Sequence, residues 1–227
     1  MLAATFRSAP RSTRIARRTL TTLANNPHIK VFDNPSSPAS YILTYLDTKP
    51  PSQSLAIGTC TTIPPSPKSF QENPRFLDIL SEVVAEHGHE DEDVVSQAQA
   101  LASPGGFSLG PGGFSPQQRP DRRSSRKQGG GGGAGGASAQ GGAGGGGTGG
   151  WVHLSDRRNP PDFGRIAWPE DILGSVEVDR GGRVVGRVQA SGTYRLVTNE
   201  GILGLSPFLR EKLVDRLRRD EAGERTR

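Results

Sequence analysis

The sequence predicts an α+β fold: a small, mostly antiparallel sheet with packed helices, interrupted by a long disordered glycine-rich insertion. Three observations lead to it. Strand-like runs closed by Pro, Gly and Asn recur in both halves of the chain. Two stretches, opening at Pro74 and Pro207, change to helical period. Between the halves, residues 129–150 read GGGGGAGGASAQGGAGGGGTGG, which has no apolar side chain to offset the backbone entropy that glycine loses on ordering.

The 227 residues divide accordingly. Residues 1–24 form a presequence-like segment, 27–103 a first foldable half, 104–150 the linker, 151–219 a second half, and 220–227 a tail expected to fray. Each half is only about 70–75 residues long and would bury little surface by itself. One discontinuous domain is therefore the expectation, with two independent modules as the alternative.

Segment 1–24, MLAATFRSAPRSTRIARRTLTTLA, has no acid and spreads Leu2, Phe6, Ile15 and Leu20 among its arginines. This is the composition of a mitochondrial presequence, a cationic amphipathic helix drawn inward by the membrane potential. Arg18-Thr19-Leu20 ahead of Thr21 fits an Arg-x-Leu processing pattern and puts the mature start near Thr21. Arg7, Arg11, Arg14, Arg17 and Arg18 also carry the whole net charge of +5: without them the chain balances at 23 basic and 23 acidic residues. The basic excess is thus a targeting feature before it is a nucleic-acid signal. No apolar run approaches the roughly 18–20 residues that cross a bilayer.

In the first half, strands are expected at 28–32, 40–46 and 54–61, each closed by a Pro-containing turn. A helix follows from Pro74 with Asn73 as its cap, placing Phe76, Leu77, Leu80, Val83 and Val84 on one face. It should end near His87-Gly88, with a second helix over 94–101. The single Cys60 excludes an internal disulfide, and its apolar surroundings suit a small buried hydrophobe better than a nucleophile. Glu86, His87, His89, Glu90, Asp91, Glu92 and Asp93 are the most metal-like cluster. They lack a cysteine partner and the alternation of a calcium loop, so a solvated acidic turn is expected there and no metal.

The linker holds a short basic block, Arg119, Arg122, Arg123, Arg126 and Lys127, before the glycines. Arginine beside glycine is the material of nonspecific RNA-binding segments, but here the two are not interleaved, so a solvated spacer is the leading reading.

In the second half, a strand is expected at 151–154, then a polar loop. Asp179-Arg180-Gly181-Gly182 signals a hairpin between strands at 171–178 and 183–188, with a further strand at 193–197 completing an antiparallel meander. Pro207 to Arg219 reads as a helix capped by Ser206, with Phe208, Leu209, Leu213, Val214 and Leu217 as its apolar face. The densest polar constellation lies around the loop: Asp156, Arg157, Arg158, Asp162, Arg165 and Glu170, flanked by Trp151 and Trp168. Carboxylates, guanidinium groups and aromatics together can line a partner-binding surface. The same residues can equally form an internal ion-pair network. No catalytic triad motif, HExxH, CxxC, kinase set or dinucleotide fingerprint occurs, and no cofactor is implied.

The segments TYLDTKPP, IPPSPKSFQENPRFLDIL, WVHLSDRRNPPDFGRIAWPEDILGSVEVD and TYRLVTNEGILGLSPFLREKLVDRL together resemble a family of uncharacterised mitochondrial proteins from filamentous fungi. More distantly, they are similar to proteins found with the yeast mitochondrial ribosome. The resemblance implies mitochondrial residence and brings no site residues with it. The resulting expectation is a non-catalytic matrix protein that binds a protein or ribonucleoprotein partner, in assembly or mitochondrial gene expression. Its alternatives are a small enzyme using the 156–170 loop and a weak RNA binder using the basic linker.

Overall fold

The computed structural model describes residues 21–102, 149–162 and 165–226. Residues 129–148 of the glycine-rich run, the basic block and residues 1–20 of the presequence-like segment lie outside them. The described chain is an α+β arrangement of three antiparallel sheets and three α-helices.

The first half forms a five-stranded meander, β1 (Thr21–Thr22), β2 (Lys30–Asp33), β3 (Tyr41–Thr44), β4 (Gly58–Cys60) and β5 (Phe70–Glu72), each strand pairing with the next. Its strands bury residues on both faces. In β3, Ile42 joins Phe32 and Ala56 in a small cluster on one side, while Leu43 faces the main core on the other. Expected strands 28–32, 40–46 and 54–61 are present but shorter. The last is cut back because Asn73 draws its N-terminal part into a loop: the Asn73 Nδ2 donates to the carbonyls of Ser54 and Ala56 at 2.9 and 2.7 Å.

Asn73 also caps α1 (Pro74–His87), its Oδ1 accepting from Arg75 N at 3.1 Å. α1 buries Phe76, Ile79, Leu80, Val83 and Val84, a stripe at helical spacing, and packs against the third helix. After a 3-10 turn (Gly88–Glu90) comes α2 (Glu92–Ala102). A solvated acidic turn is expected from composition, but the turn is not wholly solvated. Asp91 is fully buried, accepts from Asp93 N at the start of α2, and receives the hydroxyl of Ser206.

The second half opens with β6 (Gly150–Ser155), which pairs with β7 (Ile172–Val178), itself paired with β8 (Val184–Ala190) through the expected hairpin. Asp179 Oδ1 closes that turn by accepting from Gly181 N and Arg183 N, and Gly182 takes φ 77°, a conformation that favours glycine. The meander differs from expectation in its third strand. Residues 193–197 do not join it, because their backbone donors go elsewhere: Arg195 N to the Glu170 carbonyl, and Leu196 N to the Glu72 carboxylate. Val197–Thr198 (β9) instead pairs with Gly201–Ile202 (β10) in a separate small hairpin.

The chain closes in α3 (Pro207–Arg225), capped by Ser206, whose Oγ accepts from Leu209 N at 3.1 Å. Leu209, Leu213 and Leu217, four apart, are essentially inaccessible, each worth about 1.5–3 kcal/mol of burial. The expected fraying over 220–227 is not found through Arg225. The last turns are held by the first half: Thr48 donates to Glu221, Ser54 to Glu224, and Arg75 pairs with Glu224 at 2.7 Å.

One core cluster takes residues from both sides of the 103–148 gap, among them Leu43, Ile57, Phe76 and Val83 with Leu154, Val176, Leu203 and Leu213. The boundary of the presequence-like segment also shifts. Thr21 and Thr22 pair with Val31 and Lys30, and Leu23 is buried in the same core, so the folded part reaches back into 1–24.

Candidate partner-binding site

The polar constellation separates into a buried part and an exposed part. Arg158 follows β6 in a turn where Asp156 Oδ1 accepts from Arg158 N at 2.8 Å. Its guanidinium enters the protein with 3% of the side chain exposed. There Nε donates to Asp171 Oδ1 at 2.7 Å, Nη1 to the Leu196 carbonyl at 3.1 Å, and Nη2 to the carbonyls of Glu170 and Arg195 at 2.9 and 2.8 Å. The planar fork ties the β6 loop, the turn before β7 and the 194–196 segment together. Asp156 completes the network, accepting from Tyr194 Oη at 2.6 Å and from Gly204 N at 2.8 Å. The Tyr194 ring lies 5.3 Å from the Arg158 guanidinium carbon.

Burial is the largest influence on the Asp156 carboxyl and raises its pKa, against the lowering effects of Arg158, Tyr194 and two backbone N–H groups. Burial disfavours the charge of Arg158 too and so lowers its pKa, yet the net direction is up, because Tyr194, Asp156 and Asp171 together favour the cation. Arg158 is the fixed charge of the network and Asp156 its least compensated member. Tyr194 is pushed well up, first by burial and then by Asp156, and stays a hydroxyl donor.

Asp156 and Arg158 are therefore corrected as partner-binding candidates: both face inward and their polar atoms are engaged. Arg157 points the other way and forms a two-pronged pair with Asp93 of α2 at 2.8 and 3.0 Å. Asp162 and Arg165 are largely exposed and face each other at 4.0 Å. Trp151 and Trp168 are not brought together. Trp151 is registered with Glu177 near one end of the β6–β7 pair, while Ser155 meets Ile172 at the other, beyond which Trp168 sits.

The exposed part converges on residues 166–168. Ala167 is buried, and its neighbours on either side are turned out, Ile166 at 43% and Trp168 at 70% exposure. This alternation is that of an extended segment, and Trp168 has φ −61° and ψ 145°. Trp168 is the most exposed large apolar side chain among the described residues. Its backbone is nonetheless held. The Trp168 carbonyl accepts from Asp171 N at 2.8 Å, Thr193 Oγ1 donates to the Pro169 carbonyl at 2.8 Å, and Glu170 is gripped by Arg158. Sequence reasoning missed Asp171 and Tyr194 as members of the buried network and Ile166 as a neighbour of Trp168. The short apolar run Ile166-Ala167-Trp168 was the available signal for the last of these.

Among the described residues no three or more metal-ligating side chains are grouped, and no helix is long and apolar enough to cross a membrane. No family model, no curated protein and no solved structure matches this chain.

Proposed function

We propose that this is a non-catalytic mitochondrial matrix protein that docks onto a protein partner, free or within a ribonucleoprotein, through the 166–168 segment. The observation that carries the reading is Trp168: a large aromatic side chain, 70% exposed, on a backbone clamped from below by Arg158 and Thr193. A pre-organised aromatic loses little entropy on binding, and truncated aromatic anchors typically cost an interface about 2 kcal/mol or more, some 30-fold in affinity. Flanking Asp162 and Arg165 suit the polar rim of such a contact. A protein partner with an apolar pocket fits this segment better than RNA does, since the charges beside it are of both signs.

Mitochondrial residence rests on the composition of residues 1–24. The enzyme alternative needs reactive groups of the 156–170 loop to face a substrate, whereas Asp156 and Arg158 face the interior. Affinity purification from mitochondria, with and without nuclease, comparing the wild-type chain with an Ile166→Ala/Trp168→Ala double variant, tests the proposal. Specific partners lost from a normally folded variant, and kept after nuclease treatment, are expected. Partners that survive the double substitution would overturn the surface, and partners lost to nuclease would turn the reading towards RNA.

A further inference from the structure

The sheet β6–β7–β8 has two unlike faces. Val152, Leu154, Val176, Val178 and Val188 point into the main core. The residues alternating with them form the other face, in cross-strand rows. Trp151, Glu177 and Val185 stand in register in one row, and His153, Ser175 and Gln189 in the next. Trp151 is 38% and Val185 47% exposed, so the first row offers an aromatic platform to solvent.

The second observation is charge. Arg180 sits in the turn between β7 and β8, Arg183 at its exit and Arg187 within β8, and all three are exposed. None of their guanidinium groups makes an ion pair or hydrogen bond with any described residue. The acids beside them are Glu177 and Asp179, and Asp179 Oδ1 is taken by the backbone N–H groups of Gly181 and Arg183. Arg187 is placed by a bulge. From Val185 to Gln189 β8 advances four positions while β7 advances two, from Glu177 to Ser175. Gly186, with φ 80° and open space where a Cβ would stand, accommodates the extra length. Such bulges re-aim a side chain, and the residue carried between the two registered rows is an arginine.

We propose that this face binds single-stranded RNA, a base stacking on Trp151 while Arg180, Arg183 and Arg187 neutralise phosphates. An exposed aromatic on an open sheet, bordered by unpaired cations, takes a splayed strand and not a stacked duplex. Glu177, between Trp151 and Val185, is an acceptor for the exocyclic amino group of a stacked adenine or cytosine. In the second row His153 Nδ1 and Ser175 Oγ lie 2.7 Å apart, with Gln189 opposite Ser175. These hydroxyl, imidazole and amide groups suit a ribose 2′-hydroxyl, which DNA lacks. Burial lowers the pKa of His153, so the row adds no charge at neutral pH. The face is separate from the 166–168 surface, which lies beyond the other end of the β6–β7 pair.

Titration of the full chain with a single-stranded oligoadenylate of about 12 nucleotides tests this. In a Trp168→Phe background Trp151 alone reports, and its fluorescence should be quenched saturably. The three arginines should contribute about −2 to the slope of log affinity against log salt, equivalent to about 20-fold between roughly 50 and 200 mM. Changing Arg180, Arg183 and Arg187 together to Gln should remove that contribution, while Trp151→Ala should weaken binding about tenfold and keep the slope. The three arginines are exposed, so the Gln variant should unfold in urea like the wild type. Neutralising Arg119, Arg122, Arg123, Arg126 and Lys127 of the linker should leave the quenching in place. Absence of saturable quenching, equal affinity for the matching DNA or for duplex RNA, an unchanged salt slope in the arginine variant, or quenching lost with the linker charges would each overturn the inference.

Discussion

Arg158→Ala is expected to be among the most damaging single substitutions in this protein. The side chain is 3% exposed and makes four hydrogen bonds, one of them to the buried Asp171 carboxylate. Its removal leaves the Asp171 carboxylate with Asn159 Nδ2 at 3.3 Å among the described residues, takes one donor from each of three carbonyls, of which those of Glu170 and Leu196 keep a backbone N–H, and takes the cation from beneath Tyr194. Breaking a buried pair from one side costs about 3–5 kcal/mol. For a domain of this size that is a drop in Tm of roughly 6–20 °C, and a large part of a typical total stability of about 5–15 kcal/mol. Arg157→Ala is the internal control. Arg157 makes a two-pronged pair with Asp93, but both side chains are more than a third exposed, and such pairs are worth about 0.2–1 kcal/mol. Arg158→Lys should recover less than half of the loss, since a point charge cannot span Asp171 and three carbonyls. Urea unfolding followed by circular dichroism gives all three values. A cost below about 1 kcal/mol for Arg158→Ala, or equal costs at positions 157 and 158, would refute the network as a structural clamp.

Three further outcomes are expected. Deleting residues 1–20 should leave stability unchanged, while deleting 1–24 removes the β1 pairing and the buried Leu23 and should cost about 2–4 kcal/mol; matching urea curves for the two truncations would refute this. Burial pushes the Cys60 thiol up to about 11, so the folded protein should resist thiol reagents at neutral pH and label only as it unfolds, which a denaturant-dependent labelling rate would check. Asp156 has a folded-state pKa above its ordinary 3.8, so the native state holds that proton more tightly than the unfolded chain. Its contribution is present below the unfolded pKa and is lost as pH rises through the folded one. The stability cost of Asp156→Asn should accordingly shrink between acid and neutral pH, and a cost that grows over that range would contradict the sign.

Helices were legible in the sequence because they announce themselves locally. Asn73-Pro74 and Ser206-Pro207 each place a cap and a first-turn proline ahead of a run with apolar residues three and four apart. The hairpin at Asp179 was legible for the same reason. What escaped depends on residues distant in sequence. Strand β5 is three residues long and exists because Thr59 and Gly58 stand opposite it. The helix after Arg219 persists because Glu221 and Glu224 meet Thr48, Ser54 and Arg75, more than 140 positions away. At the candidate site, composition gathered the polar residues but could not assign their direction. Arg157 and Arg158 are identical neighbours in sequence, yet one reaches α2 at the surface and the other fills the interior.

The two halves should behave as parts of one cooperative unit, and a cut chain tests this. Gly88 of the first half sits against Leu154 and Val188 of the second so closely that a Cβ there would come within 2.9 Å of the Val188 methyl. Ser206, the cap of α3, donates to the buried Asp91, and Glu72 accepts from Leu196 N, so polar groups of each half are satisfied only by the other. Fragments 21–102 and 149–226 alone would each expose part of the shared core and leave these buried groups unpaired. A protease site placed within 103–148 should therefore yield two pieces that remain associated after cleavage. Their unfolding should become a single transition whose midpoint rises with concentration, because cleavage turns an intramolecular contact into a bimolecular one. Gly88→Ala should weaken the reassembly of separately purified fragments. Two fragments that part under native conditions and each keep a cooperative, concentration-independent transition would show that the halves are separate domains that merely touch.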